Sequence, residues 1–184
     1  ESTMFSVMDP LFGKMTEAQA RERFQKTLGE KGDVAFELYR QRAPNDPPTY
    51  WVTSLMTEMR TWKNSIELAE RKLDQQAAPV YMYRVDWGAS TFDGVFRAHH
   101  GIDTPFAFDN ADKTPLVLGT GPEPKHVAAA MSQAWVNFAN TGDPSAENLS
   151  WSPYDKASRE TMIFDVKSQQ VSDPAGEIRQ FLFS

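Results

Sequence analysis

At Pro79 the sequence changes its period, and that change limits the fold more than any other feature of the chain. Before it, apolar residues recur at helical spacing. Thr16 opens the first such stretch as a candidate N-cap, with Gln19 three residues on to complete a capping box. Ala20, Phe24 and Leu28 then follow at i, i+4 and i+8, and Gly29 supplies a stop. Val34, Leu38 and Tyr39 suggest a second short helix, ending before Pro44. Asp46, Pro47 and Pro48 form a start signal for a helix over residues 48–60. Ile66, Ala69, Leu73 and Ala77 share one side of a further helix over 63–76. The opposite side, with Lys63, Glu67, Glu70, Arg71 and Lys72, reads as a solvated face.

After Pro79 the texture is β-branched and aromatic. Residues 80–87 are nearly continuously apolar between Pro79 and Gly88, which predicts a largely buried strand. Residues 88–121 are rich in glycine, proline and polar groups and read as loop. Residues 123–140 predict a helix with Val127, Met131, Ala134, Trp135 and Phe138 on its apolar face, ended by Gly142 and Pro144. A short strand is expected over 161–166 and a last helical turn or two over 177–183. The reading is α/β: a helical region over about 14–77, then a late strand, a loop and a C-terminal helix over about 78–184.

Charge and composition exclude several classes of partner. The net charge is −6 and no run of lysine or arginine reaches five residues, so the basic face that nucleic acid binding requires is missing. There is no cysteine, which removes disulfides, a thiolate nucleophile and zinc–thiolate sites. No apolar run approaches the roughly 18 residues of a membrane-spanning helix. The chain opens on Glu1 without an initiator methionine, and a fragment, a processed chain or the second piece of a cleaved protein is expected.

The chain holds three histidines. His126 stands among polar residues and reads as a surface group. His99 and His100 lie in the loop between the predicted strand and the long helix, where α/β enzymes place catalytic groups. By spacing alone, a structural histidine there competes with a functional one. A metal set of His99, His100, Asp103 and Asp109 lacks any ligand spacing that points two adjacent histidines at one ion, and no metal is expected. Phe106 and Phe108 are candidate supports of the loop. Tyr50, Trp51, Leu55, Met56 and Met59 suit either an apolar pocket or core packing. The Gly-x-Ser-x-Gly elbow of a nucleophilic serine is absent, as are a triple-glycine oxyanion stretch and a P-loop.

Four segments in order resemble the C-terminal part of the type-B carboxylesterases, the family of para-nitrobenzyl esterases and cholinesterases. They are residues 1–5, with Glu1 before Ser2, Thr3, Met4 and Phe5; residues 78–87; residues 98–108, with His100, Gly101, Asp103, Phe106 and Phe108; and residues 135–144 with Trp151 and Pro153 beyond. The resemblance implies the C-terminal portion of an α/β-hydrolase fold, helix-rich with a few late strands. It implies His100 as the triad histidine, Glu1 as the triad acid and Asp103 as a supporting acidic position, with the serine upstream of Glu1. His99 matches no catalytic residue of the family.

The reaction implied is hydrolysis of a small-molecule carboxylic ester through an acyl-enzyme, with no cofactor. The alternatives are a non-catalytic esterase-like domain used for binding or adhesion, and an unrelated helical interaction domain. A portion of such a fold exposes strand edges and apolar surface, so association is expected, with the serine-bearing N-terminal portion or with another copy of the chain.

Overall fold

The computed structural model describes residues 1–183 of the 184-residue chain. In order the elements are α1 (Thr3–Ser6), α2 (Glu17–Leu28), α3 (Gly32–Arg42), α4 (Pro48–Thr57), α5 (Lys63–Asp74), β1 (Met82–Val85), α6 (Asp103–Ala107), α7 (Pro115–Leu118), α8 (Pro122–Thr141), β2 (Glu160–Phe164), β3 (Gln169–Ser172) and α9 (Gly176–Phe183). They form two compact units. One comprises Glu1–Asn64 with the C-terminal segment from Ala175, the other Ser65–Pro174.

The first unit is helical. The capping box expected at Thr16 is present: its side chain accepts from the Gln19 amide at 3.3 Å, and its own amide donates to Gln19 Oε1 at 3.0 Å. Ala20 and Phe24 are buried as the helical spacing requires. In α3 the inward face is Ala35, Phe36 and Tyr39, whereas Val34 is exposed. Of the residues that suggested this helix, Tyr39 is buried and Leu38 packs against the core, while Val34 faces outward because Ala35 and Phe36 take the inward positions. Phe24 meets Phe36 and Tyr39 edge to face at 5.8 and 5.1 Å, and Phe36 meets Trp51 at 5.6 Å. Each such pair contributes about 0.5–1.5 kcal/mol beyond its area burial. The two helices predicted over 48–60 and 63–76 are joined by a π-helical segment, Glu58–Trp62. Burial, and then the Glu58 carboxylate, raise the Tyr39 hydroxyl above the usual phenol range, so it stays protonated and donates to Glu58.

The second unit is built on a three-stranded sheet in the order β1-β2-β3. β1 runs parallel to β2 with Met82 opposite Thr161 and Val85 opposite Phe164, and β3 returns antiparallel to β2. A parallel pair demands a long crossover, and α8 is its main helix. β1 is shorter than the predicted 80–87 and only half-buried, because it lies at the sheet edge with a parallel neighbour on one side. β2 is the buried strand, with Thr161–Phe164 all enclosed. On α8, Val127, Ala128, Met131 and Ala134 face inward, Trp135 is half-buried and Phe138 is exposed, narrowing the predicted face. β3 was not expected: Gln169 and Gln170 hide it from hydrophobic patterning.

Gly32 shows how closely α3 approaches α2. A Cβ there would stand 2.4 Å from Gln25 Cα and 2.7 Å from Gln25 N, which are backbone atoms that cannot step aside. Gly32→Ala is expected to lower stability by about 1–3 kcal/mol or more, read from the urea unfolding midpoint. An unchanged midpoint would mean that the two helices are not so closely seated.

Candidate functional site

The loop after β1 begins where the parallel ladder stops. The amides of Asp86 and Trp87 both donate to the Phe164 carbonyl, at 2.9 and 3.2 Å. The chain thus leaves the sheet at the C-terminal end of a parallel strand, the end where open α/β sheets hold their ligands. Trp87 is buried edge-on against Phe106 of α6, with ring centres 5.5 Å apart. Ala89 bridges to Arg97, its amide donating to the Arg97 carbonyl at 3.3 Å, and this closes the first half of the loop.

Residues 99–102 then form a turn. The Ile102 amide donates to the His99 carbonyl at 3.2 Å, and Gly101 has φ of 79°. That angle is the one a type II turn requires at its third residue, and glycine adopts it without strain. His99 and Ile102, at the two ends, are buried; His100 between them is exposed. The turn therefore presents one imidazole outward from a base anchored at both sides.

Asp103 opens α6, and its carboxylate accepts a hydrogen bond from the Tyr83 hydroxyl at 2.8 Å. Tyr83 sits on β1 with its ring edge-to-face on Trp135 and Phe164, at 5.0 and 6.2 Å. The residue following the turn is thereby tied to the strand preceding it. His99 adds a second tie, its Nδ1 lying 2.9 Å from the His100 carbonyl oxygen.

His100 and Asp103 thus lie three positions apart in one unit. Glu1 belongs to the other unit: it is half-buried just before α1, and the next residue, Ser2, donates its amide to Thr57 Oγ1 at 3.1 Å. His126 is exposed on α8. Phe106 is buried under the loop, whereas Phe108 is 73% exposed and does not support it from within. Of the aromatic and methionine set over 49–59, Trp51 and Leu55 are core, Tyr50 and Met59 half-buried, and Met56 exposed.

Two contributors were missed by sequence reasoning, Tyr83 and His99. Tyr83 reads in the sequence as one residue of a buried strand, and the offset between it and Asp103 carries no motif. His99 matches no catalytic position, so the motif assigns it no role. Its signal was the doublet itself, since adjacent residues in a turn with one buried end face different surroundings.

Among the described residues no three or more His, Cys, Asp or Glu side chains are grouped to hold a metal ion, and no helix is long and apolar enough to cross a membrane. A shallow hollow of about 390 Å³ borders Arg21, Asp33, Val34, Glu37, Leu38 and Gln41. Its charges already pair with one another, Arg21 with both Asp33 and Glu37.

The carboxylesterase family model matches residues 11–180. The para-nitrobenzyl esterase of Bacillus subtilis (strain 168) is 34% identical over 131 residues, which is 70% of this chain and 26% of that protein. Phenmedipham hydrolase of Pseudarthrobacter oxydans is 26% identical over 155 residues, 81% of this chain and 30% of that protein. The crystal structure of a Geobacillus stearothermophilus carboxylesterase at pH 6.2 matches with a TM-score of 0.79 and 28% identity, covering 98% of this chain and 38% of that one. The chain therefore spans between 26% and 38% of the length of these relatives.

Removing the phenol from the Tyr83–Asp103 pair should loosen the turn from behind. Tyr83→Phe is expected to cost about 1.5–3 kcal/mol, the range for a hydrogen bond to a charged group. Hydrogen exchange of the Ile102 and Thr104 amides should quicken at the same time; unchanged exchange would show that the pair does not brace the turn.

Proposed function

From the premise that the chain belongs to the carboxylesterase family, we propose that it contributes His100 and Glu1 to the catalytic triad of a carboxylic ester hydrolase whose nucleophilic serine lies outside these 184 residues. The observation that supports this most is the outward His100 on a turn whose other members are buried or tied down. A histidine kept for packing would be expected inside, as His99 is.

The chemistry follows from the triad template. His100 accepts the proton of the serine hydroxyl as the oxygen attacks the ester carbonyl. It returns that proton to the departing alcohol, leaving an acyl-enzyme, and repeats the cycle with water. Glu1 holds the imidazole in one tautomer and stabilises its cation. Asp103, held by Tyr83, keeps the start of α6 in place behind the turn. The substrate class is an uncharged carboxylic ester of moderate size, and the reaction needs no cofactor.

The serine-bearing partner is the N-terminal portion of the same enzyme. Support comes from the edge position of β1 and from the exposed Phe92, Phe108 and Leu116 of the unit that carries His100. Self-association of this chain is the other way to cover such a surface.

By itself the 184-residue chain should not turn over p-nitrophenyl acetate. Combined with a serine-bearing N-terminal portion it should, and His100→Ala should then lower kcat by a factor on the order of 10^4 to 10^6. Turnover by the chain alone that is lost in His100→Ala, or full turnover of the combined His100→Ala enzyme, would each sink the proposal. An upstream portion without a Gly-x-Ser-x-Gly elbow would favour the binding-domain alternative.

A further inference from the structure

We infer that His99 is a positioning residue: its imidazole locks the His100–Gly101 peptide in the type II turn orientation, and so fixes the backbone from which His100 acts. This rests on the proposed role of His100.

The turn has two accessible forms. Types I and II differ by a flip of the central peptide, here the one joining His100 to Gly101, while the i to i+3 hydrogen bond is kept. Gly101 at φ 79° excludes type I, which needs a negative angle there, and His100 is not among the residues of positive φ, which excludes types I′ and II′. The turn is type II, and glycine alone does not select it, since glycine accepts either sign of φ.

His99 supplies the selection. Its Nδ1 is 2.9 Å from the carbonyl oxygen of the central peptide. A carbonyl oxygen only accepts, so Nδ1 carries the hydrogen and the neutral ring has its lone pair on Nε2. Flipping to type I would swing that carbonyl about half a turn away and break the bond.

The imidazole is itself well held. His99 is 7% exposed, and Phe96 meets its ring edge to face at 6.0 Å. Its amide donates to the Arg97 carbonyl at 3.1 Å and its carbonyl accepts from the Ile102 amide at 3.2 Å. Its carbonyl and side chain are both committed to the four-residue turn, and its amide ties it to Arg97 just before. A phenylalanine would fill the same space and could not make the bond to the carbonyl.

Two measurements test this. In the 184-residue chain, long-range proton–nitrogen correlation on labelled histidine should find His99 with hydrogen on Nδ1 and none on Nε2 at pH 8. In the enzyme combined with its serine-bearing portion, His99→Phe should lower kcat about 10- to 100-fold with KM within about twofold, the effect of a catalytic group displaced by an ångström or less. His99→Asn, whose amide nitrogen stands where Nδ1 stood, should recover most of the loss. His99→Gln, with its nitrogen one atom further out, should not.

Hydrogen on Nε2 with Nδ1 bare overturns the inference, and so does Asn performing no better than Gln. The reading of His100 fails separately, through a His100→Ala enzyme that keeps its turnover. In that event the tautomer of His99 still decides whether it holds the turn.

Discussion

Phe164 is the residue on which the unit that carries His100 is organised. Its carbonyl receives the amides of both Asp86 and Trp87, so it marks where β1 ends and the loop begins. Its ring, fully buried, meets Tyr83, Trp135 and Trp151 at 6.2, 6.2 and 5.7 Å. One residue of β2 thereby joins the edge strand, the crossover helix and the segment beyond it. The register that sets Val85 opposite Phe164 decides where every later loop atom stands. A slip of one residue would turn the phenylalanine out of the core and move the exit point of the chain.

From that exit the loop is fastened in stages, each by a different kind of force. Trp87 and Ile102 are buried apolar anchors. Ala89 and Arg97 add backbone pairing. Tyr83 reaches from the strand to Asp103, and His99 reaches to the carbonyl of its own neighbour. Only the tip is left outward. The proposed role of His100 as a general base calls for such a fixed direction and an open side. The same economy leaves apolar groups on the surface of the unit, Leu116 at 71% exposure among them.

The other unit reaches order by helix packing rather than by sheet register. Phe24, Phe36, Tyr39 and Trp51 interlock edge to face, and Ile178 from α9 closes the same cluster. Gly32 lets α2 and α3 approach closely, and the π-helical Glu58–Trp62 carries Glu58 to Tyr39 and Arg42. Glu1 is attached to this unit through the bond from Ser2 to Thr57.

What the residues determined by themselves was whatever depends on short range. The capping box at Thr16, the proline start of α4, the span of α8 and the glycine after His100 all act within a few positions, and each was legible in the chain. So was the family, because its segments keep their order. Tertiary structure decided what joins distant positions. The pairing of residue 82 with residue 161, the Tyr83–Asp103 bond and the polar strand β3 carry no periodicity that a linear reading can find. Val34 and Phe138 lie on helices correctly anticipated, yet face outward, because facing is set by the partner surface and not by the helix. The two histidines show the division most sharply. Their identity and place in a loop were evident from the start, but which of them is enclosed and which looks out was decided by the fold of the turn around them.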